Sequence, residues 1–280
     1  MADPAVGSTD GVRITNARMY AVTAGAERAW RALLEHVAHE AGVELSYLPY
    51  PAPQPLEKLW ARSDLGAVFM CGYPIALGLA PVTPLAAPLP HAAWAGGRAL
   101  YRTDLIVRED SPYRTLEDTF GGCAGWTVEH SHSGFNAFRH HLLAYRTSQR
   151  PQLYSRMIGN LLTARNVLDS VRARHIDVGP LDAYWHLLIA RHAPEATAGI
   201  RVLASTALAP MPALVASAGT PAKAVARLRT ALTAASAREW FAPLAEQLLL
   251  DGFAAVRSED FAPLLEWDRD AQAAGFERPH

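Results

Sequence analysis

Apolar strand-like runs alternate with helical patterns along nearly the whole chain, and that alternation limits the fold more than any single motif. Residues 14–22, ITNARMYAV, read as a strand. Residues 26–42, AERAWRALLEHVAHEAG, follow with Trp30, Leu33, Leu34 and Val37 at helical spacing and Gly42 as a stop. VELSYLPY (43–50) is a strand, PAPQP a breaker, LEKLWAR (56–62) a short helix, LGAVFMC (65–71) a buried strand, and GYPIALGLA a helix opening at Gly72. This βαβαβ order predicts a mostly parallel sheet with helices on both faces.

After residues 80–94, taken as a connection, RALYRTDLIVRED (98–110) is a strong strand and CAGWTV (123–128) another. GFNAFRHHLLAYR (134–146) is helical, with Phe135, Phe138, Leu142 and Tyr145 on one stripe; His140 and His141 fall on its flank or away from it. TARNVLDSVRARH is a helix, IDVGPL (176–181) a buried strand, and DAYWHLLIARH a helix capped by Asp182. IRVLASTA and PALVAS are strands, and the last 60 residues read as nearly all helical. Asp177 receives no role.

The middle block thus forms a second α/β unit inserted into the first. The expected division is a tail over 1–13, a discontinuous lobe of 14–106 plus 204–280, and an inserted lobe of 107–203. Joining strands lie near 101–107 and 203–215. Two such units hinged face to face make a cleft, and ligands of open α/β sheets bind outside the carboxyl ends of the strands.

Composition narrows the function classes. Half of the 280 residues are hydrophobic, the formal net charge is −1, and no Lys/Arg run is present, which argues against nucleic acid as a partner. No apolar stretch is long enough for a membrane span. The N-terminus lacks the layout of a secretory signal, so the chain as written reads as cytoplasmic, and as periplasmic if a leader has been removed. Cys71 and Cys123 fit neither a disulfide framework nor a zinc knuckle, and they fall in different lobes.

The stretch GWTVEHSHSGFNAFRHHL (125–142) holds four of the eleven histidines. It places a Ser-His-Ser-Gly step at the start of a helix, where unpaired N–H groups and partial positive charge favour an anion. Ser131 and Ser133 add hydroxyls, with Ser133 expected to cap the helix as well as contact a ligand, and Gly134 lets the backbone approach closely. The plain alternative is an ordinary Ser cap. His130 and His132 have a spacing that can hold a metal with Cys71 or Asp182, but no third and fourth ligands are evident, so neither metal nor cofactor is expected. Rim imidazoles that hydrogen-bond a carboxylate or stack on a ring are the commoner reading. Cys71 is by default a buried thiol. Of the aromatic residues that could reach a cleft (Tyr73, Tyr101, Trp126, Tyr184 and Trp185), Tyr73 and Tyr101 are favoured.

CGYP after a strand, YRTDLIVREDSPYRTLED, SHSGFNAFRHHL and HIDVGPLDAYWHLL occur in this order over about residues 14–275. Together they resemble the phosphate/phosphite/phosphonate-binding proteins of ABC transporters, which have the two-lobed type II periplasmic-binding-protein fold. The resemblance implies ligand contacts at Ser131 and Ser133, at the domain-one region Cys71, Gly72 and Tyr73, and at Asp182. It also implies a transporter permease as partner, with the chain a monomer or weak dimer. Two departures stand out: His130-Ser131-His132-Ser133-Gly134 replaces the usual Asp-Ser-Gln-Ser-Gly, and GNLLTARN replaces a Gly-Ser-His-Arg-like stretch. The expected function is therefore a solute-binding protein for a small polar anion, phosphonate-like or carboxylate. The alternatives are a cytoplasmic lyase or decarboxylase on the same fold, with His130 or His132 as acid/base and Cys71 as a possible nucleophile, or a ligand sensor.

Overall fold

A computed structural model describes residues 11–279. Of the tail expected over 1–13, residues 1–10 lie outside the described residues, and Arg13 already opens β1 (Arg13–Asn16). Helix α1 (Ala24–Ala41) starts at Thr23, whose hydroxyl accepts from Ala26 N at 3.2 Å, and ends at Gly42 in the left-handed conformation that glycine adopts without strain. It buries Trp30, Leu33, Leu34 and Val37, the stripe its spacing predicts. Then come β2 (Leu45–Tyr47), α2 (Leu56–Trp60), β3 (Leu65–Met70) and α3 (Gly72–Ala76). All six residues of β3 are buried, as a continuous apolar run requires.

The next element was not foreseen. Residues 82–90 form the nine-residue strand β4 (Val82–Pro90), carrying Pro84, Pro88 and Pro90. Proline cannot donate to a ladder and is tolerated at irregularities. The neighbouring strands shift register at Leu214/Val215, where Val215 faces Pro84, and at Leu250/Gly252, beside the Pro90–Leu250 pair.

The chain continues through β5 (Leu100–Tyr101), β6 (Thr103–Arg108), β7 (Cys123–Gly125), a π-turn over His132–Asn136, α4 (Ala137–Leu142) and β8 (Arg156–Ile158). It then forms α5 (Ala164–Arg172), β9 (Gly179–Asp182), α6 (Ala183–His192), α7 (Pro194–Thr197), β10 (Ile200–Ser205) and β11 (Ala209–Pro210). The last elements are β12 (Ala213–Ser217), α8 (Ala222–Thr233), α9 (Phe241–Leu248), β13 (Leu250–Ala255) and α10 (Pro263–Ala273). The strand β13 is missing from the expectation of a nearly all-helical end.

The first sheet has the order β13-β4-β12-β3-β1-β2. Strand β1 is parallel to both β2 and β3, but β12 inserts antiparallel between β3 and β4, and β13 is antiparallel to β4. The sheet is therefore mixed rather than mostly parallel: the βαβαβ run sets one direction, and two late strands fill it from the other. A second sheet has the order β10-β6-β9, and the parallel pair β7-β8 joins its edge through a bridge from Ala124 to Val178. Asp177 fixes that join by accepting from Cys123 N at 2.8 Å and from the Tyr113 hydroxyl at 3.1 Å, a structural role the sequence did not suggest. Between the sheets runs a short antiparallel ribbon of β5 and β11. The architecture is two-lobed α/β. Among the described residues no helix is long and apolar enough to cross a membrane.

Candidate functional site

Loops at the carboxyl ends of strands from both sheets meet around a chamber of about 150 Å3. From the first sheet come Arg18 and Met19 after β1, Leu56 and Trp60 of α2, and Cys71 at the end of β3. From the second come Thr127 and Val128 after β7, Leu162 to Ala164 after β8, Pro180 and Asp182 of β9, and Trp185. The π-turn contributes His130, Ser131, Ser133 and Gly134. This is the position where open α/β sheets hold ligands.

Each polar wall has a local cause. Ser131 is the cap: its Oγ accepts from Gly134 N at 3.0 Å. The cap expected at Ser133 is thereby corrected, because the first turn is widened to a π-turn and begins two residues earlier. Ser133 lines the chamber, its side chain beside the Tyr101 hydroxyl and its carbonyl accepting from Thr103 Oγ1 at 3.3 Å. Gly134 is required by a close approach, since a Cβ there would lie 1.9 Å from Thr127 Oγ1. Thr127 is buried, and its hydroxyl, packed against Gly134, has no hydrogen-bond partner among the described residues.

Asp182 caps α6, its Oδ1 accepting from Tyr184 N and Trp185 N at 2.9 and 3.0 Å, and its Oδ2 accepts from the Tyr20 hydroxyl at 3.0 Å. Burial nevertheless pushes its carboxyl up to about 6, against the pull of those three donors, with Asp104 adding to the rise. Arg18 donates to Gln54 O and lies over the Tyr50 ring, 5.6 Å from its centroid; among the described residues no carboxylate is paired with it. His130 pairs with Glu57 at 3.2 Å and meets the Trp60 ring edge-on, and burial lowers its pKa.

Six of the ten residues singled out in the sequence line the chamber: Cys71, His130, Ser131, Ser133, Gly134 and Asp182. Four do not. The His132 imidazole is 1 % exposed, packs between the rings of Tyr101 and Trp267, and is pushed down to about 3 by burial, so it stays neutral and away from the cleft. Its backbone N–H, not its ring, reaches the site's edge, donating to Cys71 Sγ at 3.3 Å. Tyr101 is buried behind Cys71, its hydroxyl 3.9 Å from the sulfur. Tyr73 lines a different cavity, with Arg139 and Glu277. Gly72 is demanded by packing, because a Cβ there would lie 2.6 Å from Phe261. Burial also raises the Cys71 pKa, the reverse of an activated nucleophile. Both cysteines are free and buried. Among the described residues no group of three His, Cys, Asp or Glu is arranged for a metal.

Sequence reasoning missed Arg18, Trp60, Thr127 and Leu162, and it left Trp185 among the core residues. Two signals were available. Arg18 and Thr127 each follow a strand by two residues, and Trp185 stands three after the capping Asp182, on the first turn of its helix.

The sequence family described as the ABC-transporter phosphonate periplasmic substrate-binding protein matches residues 23–261, and the chain belongs to it. It is thus a solute-binding protein whose family works with a small-molecule ligand and a transporter. No curated protein matches it in sequence. Its fold is shared with the binding-protein component of an ABC phosphonate transporter from Pseudomonas aeruginosa, at 15% identity and TM-score 0.78, over 94% of this chain and 87% of that one. PhnD1 from Prochlorococcus marinus, in complex with methylphosphonate, aligns at 12% identity and TM-score 0.76 over 93% and 98% of the two chains. A Xanthomonas citri protein bound to ATP aligns at 19% identity and TM-score 0.63 over 94% and 98%.

Proposed function

We propose that the chamber between the two sheets is the solute site and that its ligand is a small anion, which the protein delivers to an ABC-transporter permease. The observation that carries this is that Ser131 and Ser133 of the π-turn line one small cavity together with Arg18, which is in no close ion pair among the described residues. Hydroxyl donors on a rigid turn beside a guanidinium suit an anionic head group. In this reading the lobes meet at the β5-β11 ribbon, and the chain crosses between them near Arg102 and again at 206–208. These points lie a few residues outside the divisions at 106/107 and 203/204, which fall within β6 and β10.

Isothermal titration with a panel of small phosphonates, phosphate and carboxylates tests the reading. At least one anion binds, and Ser133→Ala weakens that binding tenfold or more. Binding that is indifferent to Ser133→Ala places the site elsewhere.

A further inference from the structure

We infer that the chamber selects a ring-sized solute with a single negative charge, an aromatic monocarboxylate, over a small dianionic phosphonate. This deepens the proposed function and rests on the chamber being the solute site.

Charge is the first argument. Arg18 is the one guanidinium among the described lining residues, and the other basic side chain, His130, already faces Glu57. Asp182 stands in the same wall. A monoanion can be matched by Arg18, whereas the second charge of a phosphonate meets no second guanidinium among the chamber's described lining residues and lies near a carboxyl group. In a site of low dielectric that mismatch is costly.

Shape is the second. Trp60, Trp185, Met19, Leu56, Val128 and Leu162 supply apolar wall. The chamber measures about 150 Å3, and an apolar cavity of about that size takes up a benzene ring. A one-carbon phosphonate would leave much of this wall without contact.

Strain at Leu162 is the third. Its φ is 67°, its side chain is half exposed, and Thr163 N donates across it to Leu161 O at 2.8 Å, which makes a γ-turn of the rarer, strained hand. The turn is pinned to the second sheet, with Leu161 N donating to Trp126 O and Leu162 N to Thr127 O. A leucine held in this conformation at a cavity's mouth marks a place where the side chain is kept for contact rather than for folding. Leu162, Thr163, Arg18 and Trp185 also border an outer vestibule of about 710 Å3, which gives ring substituents somewhere to extend.

Titration calorimetry at pH 7.5 with benzoate, 4-hydroxybenzoate, methylphosphonate and inorganic phosphate decides this, using wild type, Ser133→Ala and Leu162→Gly. A benzoate binds at least tenfold tighter than methylphosphonate, and Ser133→Ala weakens it. Leu162→Gly removes wall while easing the backbone; it lowers benzoate affinity about fivefold and any methylphosphonate affinity by less, and does not lower the ligand-free melting midpoint. Methylphosphonate binding tighter than the benzoates, and lost in Ser133→Ala, overturns this inference while keeping the chamber as the site. A benzoate-to-phosphonate ratio unmoved by Leu162→Gly also overturns it. Binding of none of the four, or binding insensitive to Ser133→Ala, overturns both the inference and the site.

Discussion

Asp182 shows how one residue serves fold and site together. Its carboxylate holds the start of α6 and the Tyr20 hydroxyl, yet burial raises its pKa from an ordinary 3.8 to about 6. A carboxyl whose folded pKa is raised contributes stability that is complete below about pH 4 and lost as the pH rises through about 6. Asp182→Asn keeps an acceptor for the α6 cap and cannot ionise. Measured by urea unfolding without ligand, the variant should gain on wild type between pH 4 and pH 7, by up to about 3 kcal/mol. An unchanging difference across that range removes the argument. The two serines divide their tasks differently. Ser131→Ala loses a cap, for about 1 kcal/mol, and lowers the ligand-free midpoint; Ser133→Ala leaves that midpoint nearly unchanged and acts on binding. Differential scanning calorimetry separates the two. The sequence reading puts the cap at Ser133 as well as a ligand contact; only the cap is misplaced, because a π-turn moves it without altering any residue type.

At the scale of elements, the legible parts were those with one strong local signal. Helix α1 announced itself by its stripe and Gly42, β3 by its apolar run, and α6 by Asp182. The illegible parts were decided by partners distant in sequence. Three prolines disguised β4, whose ladder is completed by β12 and β13, and Gly252 disguised β13 in the same way. The aromatic lining was misjudged for a related reason: spacing says which face of a helix is buried, but not whether core or cavity lies beyond it. The junction of β7 with the π-turn is the element on which the site depends most. Thr127 N donates to Gly134 O at 3.1 Å, and the side chain of Thr127 fills the space a Cβ at 134 would need. Gly134→Ala should cost roughly 1–3 kcal/mol in chemical denaturation. Thr127→Ala in the same chain should restore part of it, a coupling that independent sites would not show.

For the whole molecule, a ligand held by loops of both sheets ties the lobes together when it binds. At about 100 times its dissociation constant it should stabilise the folded state by roughly 2.7 kcal/mol, a midpoint rise on the order of 5–10 °C. A ligand that saturates the protein in calorimetry without raising the midpoint is not held in this way. The place of β12 in the first sheet has a consequence for how the chain is made. Strands β3 and β4 are not neighbours; residues 213–217 must slot between them, and residues 250–255 must then cover the far side of β4. A ribosome that has made the first 205 residues has therefore built every strand of the second sheet but only four of the six in the first. Domains fold as units during synthesis. Here the later-coded lobe can be finished first, while the lobe begun at the N-terminus waits, with a gap at its centre, for the end of the message.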